Sequence, residues 1–159
     1  MRSFFGFTII IILFFSCDDE RVYEKNTDFD SPRWLITEKP EFEFEIVDTV
    51  QHYNLYCNLR NSIDYPYARI FLTYYLQDSL GSMVEKNMLG KLLFDDKTGE
   101  PQGNSGLGDI YDHRIPVKMN YRFKHPGKYK IKFEQFMRTD TLTGILAVGL
   151  RVEKLTPEH

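Results

Sequence analysis

At 159 residues the chain has the length of one domain, and 42% hydrophobic residues, including 13 Phe and 10 Tyr, provide a sizeable core. Twenty basic residues against 23 acidic ones give a formal net charge of −3. That balance excludes a nucleic-acid footprint and a basic membrane-surface patch.

The chain opens MRSFFGFTIIIILFFSC, with Arg2 ahead of a nearly pure apolar run from Phe4 to Phe15. As a helix this run spans about 18 Å, short of a hydrocarbon layer of about 30 Å, so residues 1–16 read as a cleaved signal peptide. Phe14-Phe15-Ser16-Cys17 resembles the lipobox of bacterial lipoproteins, with small Ser16 before the cut and Phe14 where Leu is usual. The resemblance implies acyl chains on Cys17 and anchoring to a membrane, the outer membrane being expected. A single chain holds only marginally, whereas two or three attach effectively permanently. Asp18, Asp19 and Glu20 follow. They read either as a surface-export signal, which such clusters resemble, or as a solvated linker, so periplasmic or cell-surface exposure stays open. With Cys17 acylated, Cys57 is the remaining thiol. It lies in phase with Tyr53, Leu55 and Leu59 and reads as a small buried hydrophobe.

Residues 17–39 read as the acylated Cys and a polar tether, with Trp34 packing the segment onto the body or, alternatively, stacking on a ligand. Over 40–156 the pattern is period two. EFEFEI (41–46) sets Phe42, Phe44 and Ile46 against three glutamates, and YNLYCNLR (53–60) alternates likewise. ARIFLTYYLQ (68–77) is apolar on both faces, which predicts a strand that is central or covered on both sides. MNYRFK (119–124) puts Met119, Tyr121 and Phe123 on one face, and GKYKIKFEQFMR (127–138) alternates Tyr129, Ile131 and Phe133 with lysines. GILAVGLRVEK (144–154) turns Leu146, Val148, Leu150 and Val152 inward. Turn signals at 61–66, 78–82, 125–127 and 140–144 separate the runs, and no segment holds a helical period. The expectation is an all-β fold: a single-domain antiparallel β-sandwich, immunoglobulin-like or jelly-roll-like.

Few residues suggest chemistry. Gly103, Gly106 and Gly108 lack the spacing and the following helix of a dinucleotide loop. Asp95, Asp96 and Asp109 are weak calcium candidates without the register of an EF-hand. The four histidines form no H-x-x-x-H pair and no strained nucleophile motif occurs. We therefore expect no catalytic residue, no cofactor, no metal, no nucleic acid and no small-molecule substrate. Tyr56, Phe71 and Tyr75 lie opposite the Leu55/Cys57 and Ile70/Leu72 sets. If those faces look outward, the rings offer a patch for a glycan or a partner; if a second layer covers them, they are core.

Four segments, FEIVDTVQHYNLYCNLRNSIDYPYARIFL (44–72), GNSGLGDIYD (103–112), GKYKIKFEQFMR (127–138) and LTGILAVGLRVEK (142–154), together with the lipobox, resemble the GldH family of gliding motility lipoproteins of Bacteroidota. LRN…YPY and the final L-x-G-I-x-x-V-G-L-R are the most specific parts. The resemblance implies an envelope lipoprotein needed for gliding, a process tied to type IX secretion. It implies no catalytic residue and carries over only Cys17. The resulting expectation is a non-catalytic, lipid-anchored protein that binds other envelope proteins. A carbohydrate-binding lipoprotein of a nutrient-uptake system is the alternative. An aromatic platform flanked by Asn or Asp would favour the glycan binder; a broad apolar patch or an open strand edge would favour the protein binder.

Overall fold

The computed structural model describes residues 20–106 and 108–156. Eleven strands form among them: β1 (Arg21–Asp28), β2 (Arg33–Leu35), β3 (Glu41–Ile46), β4 (Tyr53–Ser62), β5 (Arg69–Gln77), β6 (Met83–Leu92), β7 (Asn104–Ser105), β8 (Ile110–Tyr121), β9 (Gly127–Gln135), β10 (Thr141–Thr143) and β11 (Ile145–Lys154). Two antiparallel sheets, ordered β1-β11-β4-β8-β7 and β3-β9-β5-β6, carry the domain, and β2 pairs with β10 in a short ribbon. The protein is an all-β sandwich.

The alternating sequences explain the core between the sheets. Phe42, Phe44 and Ile46 of β3, Tyr129, Ile131 and Phe133 of β9, and Ile70, Leu72, Tyr74 and Leu76 of β5 are all buried. They share one cluster with Tyr53, Leu55, Cys57 and Leu59 of β4 and with Val148, Leu150 and Val152 of β11. Period two thus places one face of each strand in the core. At one end Phe123 meets Tyr53, Tyr121 and Tyr129, the Tyr129 ring being 4.5 Å away between centroids. At the other end the β2–β10 ribbon seats Trp34 and Leu142, both fully buried. Trp34 stacks on Phe29 and donates its Nε1–H to the Glu38 carbonyl at 2.8 Å, so its polar atom is satisfied as well as its ring.

Three sequence expectations change. The segment expected as a tether over 17–39 is structured from Arg21: β1 pairs along β11 from Glu153 to Ala147. Its burial pattern shows no period because only parts of Val22 and Tyr23 reach the core. Met119, Tyr121 and Phe123 do not share a face, since Asn120 takes φ 53° and its N–H bonds Asn54 Oδ1 at 2.9 Å. That left-handed residue breaks the alternation, leaving Met119 exposed and Phe123 buried. Leu146 is only half-buried, because a register shift between Ile145 and Ala147 lets Ile145 take the inward place.

The flank between β6 and β8 is closed by polar groups. The Tyr74 hydroxyl donates to Glu85 of β6, and Glu85 pairs with Lys118 of β8 on the opposing sheet. Burial works against the Glu85 charge, but Lys118 and Tyr74 outweigh it and hold the carboxyl below its usual range.

A candidate interaction face on the four-stranded sheet

The two strands on one side of this sheet's outer surface neutralise each other. In the β3–β9 ladder Glu41, Glu43 and Glu45 lie opposite Lys132, Lys130 and Lys128. Lys130 reaches diagonally to Glu41 at 2.9 Å and Lys128 to Glu43 at 2.9 Å, while Lys39 pairs with Glu134 at 2.8 Å. Such exposed pairs contribute little to stability, roughly 0–1 kcal/mol for a typical one. They do cancel charge.

The β5–β6 side differs. Phe71 of β5 faces outward opposite Gly90 of β6, and a Cβ on Gly90 would stand 3.1 Å from the Phe71 ring. The missing side chain lets the ring lie across the β6 backbone. Beyond β9 the chain keeps following β5: Phe136 N–H donates to the Phe71 carbonyl at 2.8 Å, and Phe71 N–H approaches Met137 Sδ at 3.3 Å. Tyr67, Phe71, Met88, Phe136, Met137 and Arg138 then line an open, mainly apolar groove of about 490 Å³. Met88 is 53% exposed and Phe136 62%. Large apolar side chains gathered on a surface mark an interaction site more often than scattered ones do.

Cations border the groove. Arg69, Lys86, Lys132 and Arg138 make no ion pair among the described residues. Lys86 and Lys132 place their ammonium groups 5.0 and 4.9 Å from the Tyr75 ring centroid. The Tyr75 hydroxyl donates to Glu134 Oε2 at 2.6 Å, a bond that with burial pushes its acidity down, so Tyr75 stays protonated.

Of the three rings singled out in the sequence, Phe71 and Tyr75 share this face and Tyr56 does not. Tyr56 belongs to β4 in the other sheet, where the Arg114 guanidinium lies 5.5 Å from its ring. Met88, Phe136 and Tyr67, which complete the groove, were not legible as its members. Met88 sits on an edge strand with no apolar period, and Phe136 follows the last residue of β9. Phe136 did leave one signal: in FEQF it falls three residues after Phe133, out of phase with the strand.

The remaining candidates lie elsewhere. Cys17 is outside the described residues. Cys57 is fully buried and burial pushes its thiol well above the usual range. Asp95 accepts from Lys97 and Thr98 N–H, both at 2.9 Å, and so closes a turn. Asp95, Asp96 and Asp109 form no cluster, and among the described residues no group of His, Cys, Asp or Glu is placed to hold a metal ion. The glycine-rich segment leads into β8 rather than a helix, with Gly103 against the His113 ring. His113 Nε2 lies 2.8 Å from Asn61 Oδ1, and burial, helped by Lys91, lowers its pKa to about 4.

Residues 21–152 match the GldH lipoprotein family. The chain belongs to that family. It is 33% identical to the gliding motility lipoprotein GldH homolog of Christiangramia forsetii, over 97% of this chain and 98% of that one. It is 31% identical to gliding motility lipoprotein GldH of Flavobacterium johnsoniae, over 90% and 91%. Among solved structures, the infectious bursal disease virus VP2 subviral particle overlaps at TM-score 0.44 and 14% identity, covering 86% of this chain and 33% of that chain.

Part of the GldH resemblance fixes the fold at one end of the sandwich. Arg60 holds Asp112 at 2.8 Å and Asn61 holds His113, so LRN fixes β4 to β8. Gly144, at φ 77°, lies so close to Tyr65 that a Cβ would stand 2.5 Å from the Tyr65 nitrogen. Only glycine fits there. These residues build the fold, whereas Tyr67 of YPY and Phe71, Phe136, Met137 and Arg138 of the other matching stretches line the groove.

Proposed function

We propose that this GldH-family lipoprotein is a non-catalytic, lipid-anchored envelope protein that serves gliding motility, and the type IX secretion machinery associated with it, by binding another envelope protein. Acyl chains on Cys17 hold it to the outer membrane, and the outer face of the four-stranded sheet engages the partner. The observation that carries this reading is the apolar groove bounded by Phe71, Met88 and Phe136. Methionine and phenylalanine beside unpaired cations suit a protein surface, because thioethers adapt to irregular apolar side chains. A glycan platform would set Asn or Asp beside its rings, and neither is among the residues lining this groove. The relatives carry gliding motility in their names, which agrees with the reading. So does the seclusion of groups that chemistry would use: the Cys57 thiol is fully buried and His113 is buried against Asn61.

The test is the Phe71→Ser, Phe136→Ser double variant in the native host. The expected result is a lipidated, folded protein in normal amount with colony spreading and surface-protein secretion lost. Spreading and secretion at the wild-type level would refute the reading.

A further inference from the structure

Beside the groove runs an open strand. β6 ends the β3-β9-β5-β6 sheet, spans ten residues and is exposed along most of its length. Met88 N–H turns away from β5 and donates to Asn87 Oδ1 at 2.8 Å, a bond from a neighbouring side chain instead of a strand. Alternate residues of a strand turn their backbone groups to the same edge, so Lys86 and Gly90 present theirs with Met88. The same three residues face outward, opposite Tyr75, Phe71 and Thr73. One row thus offers backbone partners and borders the groove.

Resting on the groove as a protein-binding face, we propose that an extended, acidic segment of another envelope protein adds to this sheet alongside β6. Its backbone pairs with the Lys86–Gly90 row, its carboxylates meet Lys86 and Arg138, and an apolar side chain crosses bare Gly90 to rest on Phe71. Charge selects the occupant. A second copy of this chain pairing β6 on β6 antiparallel about Met88 would set Lys86 opposite Gly90, where the Arg69 guanidinium already lies close, and like charges brought together across a ladder repel. An acidic strand neutralises the same groups. Lysine on an edge strand also discourages indiscriminate pairing, which leaves room for a partner of opposite charge. The mode is strand addition, with main-chain bonds for affinity and alternate side chains for specificity.

The test places the photocrosslinker benzoylphenylalanine at Val84 on β6, at Phe136 in the groove and at Tyr56 on the other sheet, in living cells of the native host. The crosslinked peptides are then sequenced. The expected result is one partner peptide, with carboxylates at alternate positions, captured from Val84 and Phe136 and not from Tyr56. Met88→Pro removes the edge donor without removing a β5 bond, so it should cut the yield from both positions at least tenfold, whereas Met88→Ala should leave at least a third of it. Lys86→Glu, which leaves the backbone alone, should also cut it at least tenfold. Capture from Phe136 alone, or yields unmoved by Met88→Pro and Lys86→Glu, overturns strand addition while the groove reading stands. A product joining two copies of β6, or a cationic peptide, overturns the choice of partner. No capture from either position overturns both readings.

Discussion

The two outer faces of the sandwich handle charge in opposite ways. On the five-stranded sheet Arg151 lies at the centre of a closed network: it binds Glu24 at 2.6 Å and pairs with Glu153, which Arg114 also reaches at 3.3 Å. Asn58 donates to Glu24 at 3.0 Å. Arg151 and Glu153 are each more than nine-tenths buried, so this face satisfies its charges within the fold. On the four-stranded sheet the β3–β9 half pairs Glu41, Glu43 and Glu134 with Lys130, Lys128 and Lys39. The β5–β6 half leaves cations unpaired around exposed apolar groups. A face that completes its own interactions contributes to stability, whereas one that leaves them open is available to another molecule.

Substitutions can break this contrast. Arg151→Met takes the buried guanidinium from Glu153 and Glu24, leaving them Arg114 and Asn58, and should cost about 2 kcal/mol in urea denaturation, the scale of lost hydrogen bonds to charged groups. Glu24→Gln should cost about 1 kcal/mol at neutral pH, a figure discounted for partial exposure. Burial opposes the Glu24 charge, but bonds from Arg151, Asn58 and Arg21 dominate and lower its folded pKa below the ordinary 4.5. Its contribution is therefore present above that unfolded value and lost as pH falls through the lowered folded one. A urea series across this acid range should show a shallower decline for Glu24→Gln than for wild type. In the groove, Phe136→Ser should change stability by no more than about 0.5 kcal/mol while abolishing partner capture. Glu43→Gln on the neutral ladder should change neither the melting temperature nor capture.

What the sequence revealed followed burial. EFEFEI and GKYKIKF alternate because one side of β3 and of β9 enters the core, and both were legible. MVEKNMLGKL was not, because β6 is an edge strand from which only Leu89 packs against the core. β1 hid in the same way. The site was half legible for a related reason: Phe71 and Tyr75 show up as apolar residues on the wrong side of a core strand. Met88 and Phe136 come from an edge and from a strand end, where alternation carries no information. The family resemblance covers Phe136 within GKYKIKFEQFMR but implied no role for it, and it does not cover Met88.

The most direct test of the central claim is thiol accessibility at Phe136. Cys57 is buried and its thiol is held protonated, so with Cys17 acylated as proposed a cysteine introduced at the surface reports alone. Phe136→Cys and, as a control, Val50→Cys at an exposed turn would be labelled with a maleimide in purified protein and in intact envelopes of the native host. The account predicts that both label rapidly when purified, and that in envelopes Phe136→Cys slows at least tenfold while Val50→Cys does not. Equal labelling of the two in envelopes would contradict it.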